Sequence, residues 1–412
     1  MEKDPLYLLK RPVFSVLLVL VITTLYIHLQ VSPGTFAIQP LIYPKFKLQD
    51  AFFKARLLYN ERFRKGYPKE SAVVLIASDE ESVSKINDNQ YTSYDPRFLA
   101  RLITRISECQ PKVIVLDIGF FNYGNYEGRP ELIEAIKKAG NVFVVWDSSG
   151  MGTPGRQFDE DIMNASLGYG RVDITPAATI DNVIRVYYPS GYLKEGVGRV
   201  LPLALQAALA YKDMPFNIHY YDPKTNTILF MSKEYIIGLP LNEEKMTYIN
   251  FLYDEKMIPT IPIWKAMEEN LDPALLKGKI ALVGMTAKGY NDFHLTPIGR
   301  IPGPIIMANQ MNTFVHFYMF REYSNRIEAL ALVILGFLLT FLFYRRSMVE
   351  GFIVLIGTIC ASLAASFTLF LLNFLWSAWD LIALSLLLYL AILIHKASIW
   401  EVENKMLRTQ RS

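Results

Sequence analysis

Lys112-Val113-Ile114-Val115-Leu116-Asp117 is an uninterrupted apolar run closed by a carboxylate. The same pattern recurs in Ala72-Val73-Val74-Leu75-Ile76-Ala77, which ends at Ser78-Asp79, and in Val142-Phe143-Val144-Val145-Trp146, which ends at Asp147. Lys279-Ile280-Ala281-Leu282-Val283 runs into Gly284 instead. A strand with one face in water alternates apolar and polar residues, so continuous apolar runs predict a sheet covered on both faces. Between these runs lie helical patterns. Arg97–Cys109 sets Phe98, Leu102, Ile103 and Ile106 on one face, and Glu131–Ala139 and Leu203–Tyr211 behave similarly. The prediction is an α/β domain, a largely parallel sheet flanked by helices.

The apolar residues are unevenly distributed outside that domain. The chain has 412 residues with 42 basic and 39 acidic side chains, so its positive mean hydropathy of +0.21 requires apolar and charged residues to be segregated. One apolar run, 12–31, follows Lys10 and Arg11, and three more lie at 327–344, 349–372 and 379–395. Each is long enough to cross a bilayer core of about 30 Å with its flanks. The first run exceeds a signal-peptide core and is followed by Gln30-Val31-Ser32-Pro33-Gly34, with no Ala-x-Ala site, so it reads as an uncleaved anchor. Four spans put residues 1–11 and the 396–412 tail on one side. Lys10, Arg11, Arg345, Arg346, Lys396, Lys405, Arg408 and Arg411 then share that side, which makes it cytoplasmic. Residues 32–326 are expected outside a bacterial inner membrane. The third span carries Gly357, Ala361 and Ala365, expected to pack within the bundle. Span centres lack ionisable residues, with Glu328 and Asp380 at edges, which disfavours transport.

Residues 32–326 hold 33 basic and 32 acidic residues, and the whole chain is only +3. No basic field exists to bind nucleic acid. Cys109 and Cys360 make no disulfide framework, and the five histidines have no metal-ligand spacing, so no metal or cofactor is assigned. Ligands of open α/β sheets bind beyond the carboxyl ends of the strands. Asp79, Asp117 and Asp147 could gather there around a hard cation or a ligand. The favoured alternative is that each caps the turn or helix that follows. The Gly284–Gly289 loop could cradle an anion with its N–H groups, though it lacks a phosphate-loop ending. No Gly-x-Ser-x-Gly elbow or nucleophile–base arrangement is present, so no catalytic residue is assigned.

Leu276-Lys277-Gly278-Lys279-Ile280-Ala281-Leu282-Val283-Gly284-Met285-Thr286-Ala287-Lys288-Gly289-Tyr290-Asn291-Asp292, continuing through Thr296-Pro297, Pro302-Gly303-Pro304 and Ala308-Asn309, resembles the closing stretch of the second type of CHASE domain. Tyr59–Arg64, Val73–Ser82, Val113–Phe120, Gly168–Arg185 and Thr247–Phe251 match further elements in order. Asn60, the reduced element Tyr94-Asp95-Pro96-Arg97, Asn182 in the Asp181-Asn182 pair where Asp-Gly is usual, and Met307 depart from the family's usual residues. The resemblance implies an extracytoplasmic sensor with one span before the domain and three after. Members usually continue into an output domain, whereas this chain stops 18 residues after Ile394. Candidate ligand-binding residues are Asp79, Asp117, Asp147, Thr286 and Asp292. The expectation is a sensor or adaptor coupling through its spans to a separate membrane or signalling partner, with a homodimer as one candidate arrangement. The alternative is a non-catalytic structural subunit of an envelope complex.

Overall fold

The computed structural model describes residues 21–22, 24–25, 39–63, 69–86, 88, 90, 94–120, 126–146, 158–172, 181–189, 200–216, 219–269, 271–322 and 325–409. The chain divides into two compact units, one of Met1–Phe52 with Arg321–Ser412 and one of Phe53–Phe320. In order, the elements are α1 (Gln39–Phe63), β1 (Val73–Ser78), α2 (Glu80–Ile86), α3 (Pro96–Glu108), β2 (Val113–Leu116), α4 (Arg129–Ala139), β3 (Val142–Val145), α5 (Glu160–Ala165), β4 (Gly168–Gly170) and β5 (Val186–Tyr187). There follow α6 (Leu203–Tyr211), β6 (His219–Asp222), β7 (Thr227–Met231), β8 (Ile236–Pro240), β9 (Thr247–Tyr248), β10 (Thr260–Pro262), α7 (Ile263–Ala266), β11 (Ile280–Met285), β12 (Phe293–Thr296), β13 (Gly299–Pro302) and α8 (Gly303–Val315). Then come β14 (Arg321–Glu322), α9 (Asn325–Arg345), α10 (Met348–Leu371), β15 (Phe374–Leu375) and α11 (Ala378–Thr409).

The middle unit is built on a six-stranded sheet, β10-β1-β11-β2-β3-β4, parallel at every step. All residues of β1, β2 and β3 are buried, as continuous apolar runs require. Alternate side chains serve two layers. Val74, Ile76, Ile114, Leu116, Val142, Val144, Ala281 and Val283 pack with α3, α4, α5 and α7 in one apolar cluster. Helices α6 and α8 contact the strands from the other layer. Helix α3 starts where Asp95 Oδ1 accepts from Arg97 N (2.7 Å), with Pro96 supplying a fixed φ at the first turn. Its apolar stripe, Leu99, Leu102, Ile103 and Ile106, then lies on the sheet.

Helix α8 is buried along all 13 residues, including Asn309, Asn312 and Thr313. Those polar side chains serve loops that lack ladder partners. Asn309 Oδ1 accepts from Tyr253 N (3.1 Å) while its Nδ2 donates to Tyr253 O (2.9 Å). Asn312 Oδ1 accepts from Ala72 N (2.9 Å), and Thr313 Oγ1 accepts from Asn250 N (3.2 Å). Buried backbone groups need such partners. The unit also contains antiparallel elements that the predicted parallel sheet does not include, namely the β6-β7-β8 meander and the β5-β9 and β12-β13 pairs.

In the other unit, Ile327–Arg345, Met348–Leu371 and Ala378–Arg408 are long and apolar enough to cross a membrane. The first two match the spans predicted at 327–344 and 349–372. The last outruns its predicted end at 395 because no Gly or Pro interrupts Ile394–Thr409. The α9–α10 turn is closed by a capping box between Ser347 and Glu350, and Lys396 Nζ donates to Phe343 O (2.9 Å). The loop predicted at 373–378 instead contributes β15, paired with β14. Gly357, Ala361 and Ala365 are exposed, contrary to the expected bundle packing; the inward positions of α10 include Leu355, Ser362, Ser366 and Phe370. Two residues along a helix turn it by roughly 200°, which sets Gly357 opposite Leu355. The span predicted at 12–31 lies outside the described residues except for Val21, Ile22, Thr24 and Leu25, which are helical.

Candidate functional site

Register brings the carboxyl ends of β1, β11 and β2 together, with Ser78 opposite Met285 and Leu116 opposite Val283. The chain leaves β1 and β2 towards the helical layer of α3 and α4, and leaves β11 through β12–β13 towards α8 in the other layer. Neighbouring strands that exit to opposite faces open a crevice between them.

Asp117 stands at that crevice on the end of β2, its backbone N donating to Val283 O (2.8 Å). Its side chain is partly exposed and makes no hydrogen bond among the described residues. Burial pushes its carboxyl up to about 7, the negative charge of Asp292 pushes the same way, and His294 opposes them. Asp292 Oδ1 lies 2.8 Å from His294 Nε2, and Asp292 O accepts from Gly303 N (2.9 Å). The Asp292 carboxylate rests on the first turn of α8. A Cβ at Gly303 would stand 2.3 Å from its Oδ2, and one at Gly284 would strike Pro304 at 2.5 Å, so both positions require glycine. Beside them, Ser78 Oγ bonds Tyr94 Oη (2.7 Å) and donates to Tyr290 Oη (3.3 Å), while Tyr94 stacks on Phe98.

The predicted site residues fare differently. Asp117 and Asp292 are brought together. Asp79 is engaged in capping α2, its Oδ1 accepting from Ser82 N (2.8 Å) and Ser82 Oγ (2.6 Å), as the capping alternative requires. Thr286 does not serve an anion cradle: Thr286 N and Ala287 N both donate to Ser78 O (3.0 Å each), and Lys288 N donates to Glu80 Oε1 (2.7 Å). Two of that loop's donors therefore hold β11 to the end of β1, and a third holds the start of α2. Asp147 lies outside the described residues. The sequence reading assigns no site role to His294, Tyr94, Tyr290 or Gly303; the Asp-x-His spacing of Asp292 and His294 is the available signal.

Two carboxyls and an imidazole so placed can hold or exchange a proton and receive a cationic or hydrogen-donating group. Among the described residues no group of three or more His, Cys, Asp or Glu side chains is arranged to hold a metal ion. A family model, the CHASE2 domain, matches residues 18–343. The chain belongs to the CHASE2 family. CHASE2 is a sensory domain family, not a catalytic one. No curated protein and no solved structure matches the chain. Within the CHASE2 domain the matched Asp181 and Arg185 form a buried pair, and Ala308-Asn309 supplies the clamp on Tyr253.

Proposed function

We propose that the protein is a membrane-anchored extracytoplasmic sensor that recognises a ligand at the crevice of Asp117, Asp292 and His294 and couples through its spans to a separate partner. The observation that carries this is Asp117, a carboxyl without a hydrogen-bond partner among the described residues, lifted to about 7 beside a second carboxyl. A group in that condition gains most from a ligand that supplies a positive charge or a donor. On this reading both termini lie in the cytoplasm of a bacterium, a placement supported by the basic residues Arg345, Arg346, Lys396, Lys405 and Arg408 that follow the apolar runs.

The full-length protein in nanodiscs, screened by thermal shift against small amines and guanidines, tests the reading. A stabilising compound should lose its effect in Asp117→Asn and Asp292→Asn. It should also change distances between spin labels at the cytoplasmic ends of α10 and α11. A tight binder that leaves those distances unchanged would remove the coupling, and stoichiometric recovery within a stable assembly, with no ligand found, would favour a structural subunit.

A further inference from the structure

The opposite edge of the sheet carries the opposite charge. Lys69, Lys112 and Lys279 stand upstream of β1, β2 and β11, three strands adjacent in the sheet. Lys212 closes α6 and His316 closes α8 at the same edge. Lys112 Nζ reaches Asp213 Oδ2 at 2.6 Å, and Lys279 Nζ reaches Glu70 Oε1 at 3.5 Å and Ser71 O at 3.1 Å. Those two acids are the outermost members, with side chains 79% and 80% exposed, so water screens them. Lys69 and Lys212 make no ion pair among the described residues.

Aromatic rings interleave the cations. Lys212 Nζ sits 4.7 Å above the half-exposed Phe317 ring and Lys112 Nζ lies 5.4 Å from the Tyr211 ring, while Lys69 N donates to Tyr318 Oη (3.2 Å). The group repels itself. Burial first, then Lys69 and Lys112, hold the Lys212 ammonium below its usual range. Burial first, then Lys69, Lys212 and Lys279, hold His316 down to about 4. The carbonyl ends of α6 and α8 favour a cation nearby and account for Lys212, but Lys69, Lys112 and Lys279 precede strands and have no such reason. A cleft of about 620 Å³, lined by Lys212, Asp213, Ser232, Lys233, Glu234 and Tyr235, opens beside the cluster. Clustered cations whose ion-pair partners are water-screened acids or absent among the described residues are stabilised most by one polyvalent oxyanion that touches several of them.

We propose that this edge is a binding site for a phosphate-type polyanion, held by Lys69, Lys112 and Lys212 and separate from the crevice of Asp117. The shared chemistry is a phosphate group carrying two or more charges or presented in an array, either on a soluble ligand or as lipid headgroups.

The test uses the full-length protein in phosphatidylcholine nanodiscs titrated with inorganic pyrophosphate by calorimetry. Binding should weaken by about tenfold or more in the Lys69→Gln/Lys212→Gln double variant and again when salt rises from about 50 to about 300 mM. The Lys69→Arg/Lys212→Arg variant should retain it, Asp117→Asn should not change it, and the His316 imidazole should titrate at higher pH when pyrophosphate is bound. Nanodiscs containing phosphatidylglycerol separate the sources. If that lipid weakens pyrophosphate binding in the parent but not in the Gln double variant, headgroups occupy the site; if it does not compete, the ligand is soluble. Absence of pyrophosphate binding in either lipid, or equal binding by the parent and a folded Gln variant, overturns the proposal.

Discussion

Arg185 and Asp181, four residues apart, form a bidentate ion pair with Nη1–Oδ1 of 2.9 Å and Nη2–Oδ2 of 2.8 Å. Their side chains are 1% and 5% exposed. The charges compensate each other out of water, and removing one strands the other in a medium that cannot solvate it. Asp181→Asn keeps the shape and removes the charge. It should lower unfolding stability by about 3–5 kcal/mol, whereas a well-packed apolar replacement of both partners should cost much less than twice that. Chemical denaturation of both variants checks the difference; equal losses would contradict it.

Gly303 is required by contact rather than by backbone angle. Adding a methyl group there should displace the Asp292 carboxylate from the first turn of α8 and cost about 1–3 kcal/mol as overpacking. Gly303→Ala should melt earlier, and Asp292→Ala should recover part of that loss by removing the obstructed group. Absence of such recovery would place the strain elsewhere.

Asp117 makes stability depend on pH with a defined sign. Its folded-state value of about 7 lies above the ordinary carboxylate value near 3.9, so the folded protein holds the proton that the unfolded chain has released. Stability attributable to this group is therefore complete below about pH 4 and falls as pH rises to about 7. Asp117→Asn should abolish that slope, gaining about 1–4 kcal/mol on the parent at pH 8 relative to pH 4. Denaturation curves at both pH values decide the matter, and parallel profiles would refute it.

Asn309 should tolerate little change. Its carboxamide meets both backbone groups of Tyr253, so Asn309→Ala leaves a buried donor and a buried acceptor unpaired at about 1–3 kcal/mol each. Asn309→Asp, which buries a carboxylate and sets one of its oxygens against Tyr253 O and Ile305 O, should melt no higher than the Ala variant at neutral pH.

The sheet was legible because β1, β2, β3 and β11 are buried on both faces and carry no polar interruption. The meander was not, since outward positions of β7 hold Leu229 and Met231 and hide the alternation of buried Ile228 and Phe230. At the site, a strand ending in aspartate marks Asp117 and Asp79 equally. Only tertiary packing separates a carboxyl spent on Ser82 from one left facing Asp292. The approach of Asp292 and His294 to Asp117 joins residues far apart in the chain, which no local residue preference announces. The small-residue spacing in α10 is likewise real, but helical period does not say which face meets a neighbour.

Strand β11 lies between β1 and β2, and it follows β1 by about two hundred residues. Synthesis therefore delivers the first two core strands long before the one that separates them. Val113–Leu116 can pair with β3 as soon as Val142–Val145 follows, whereas Val73–Ser78 gains its first native edge only with β10, and the two strands are bridged only when Ile280–Met285 arrives. The two halves of the sheet therefore close into one only when its last core strand is made.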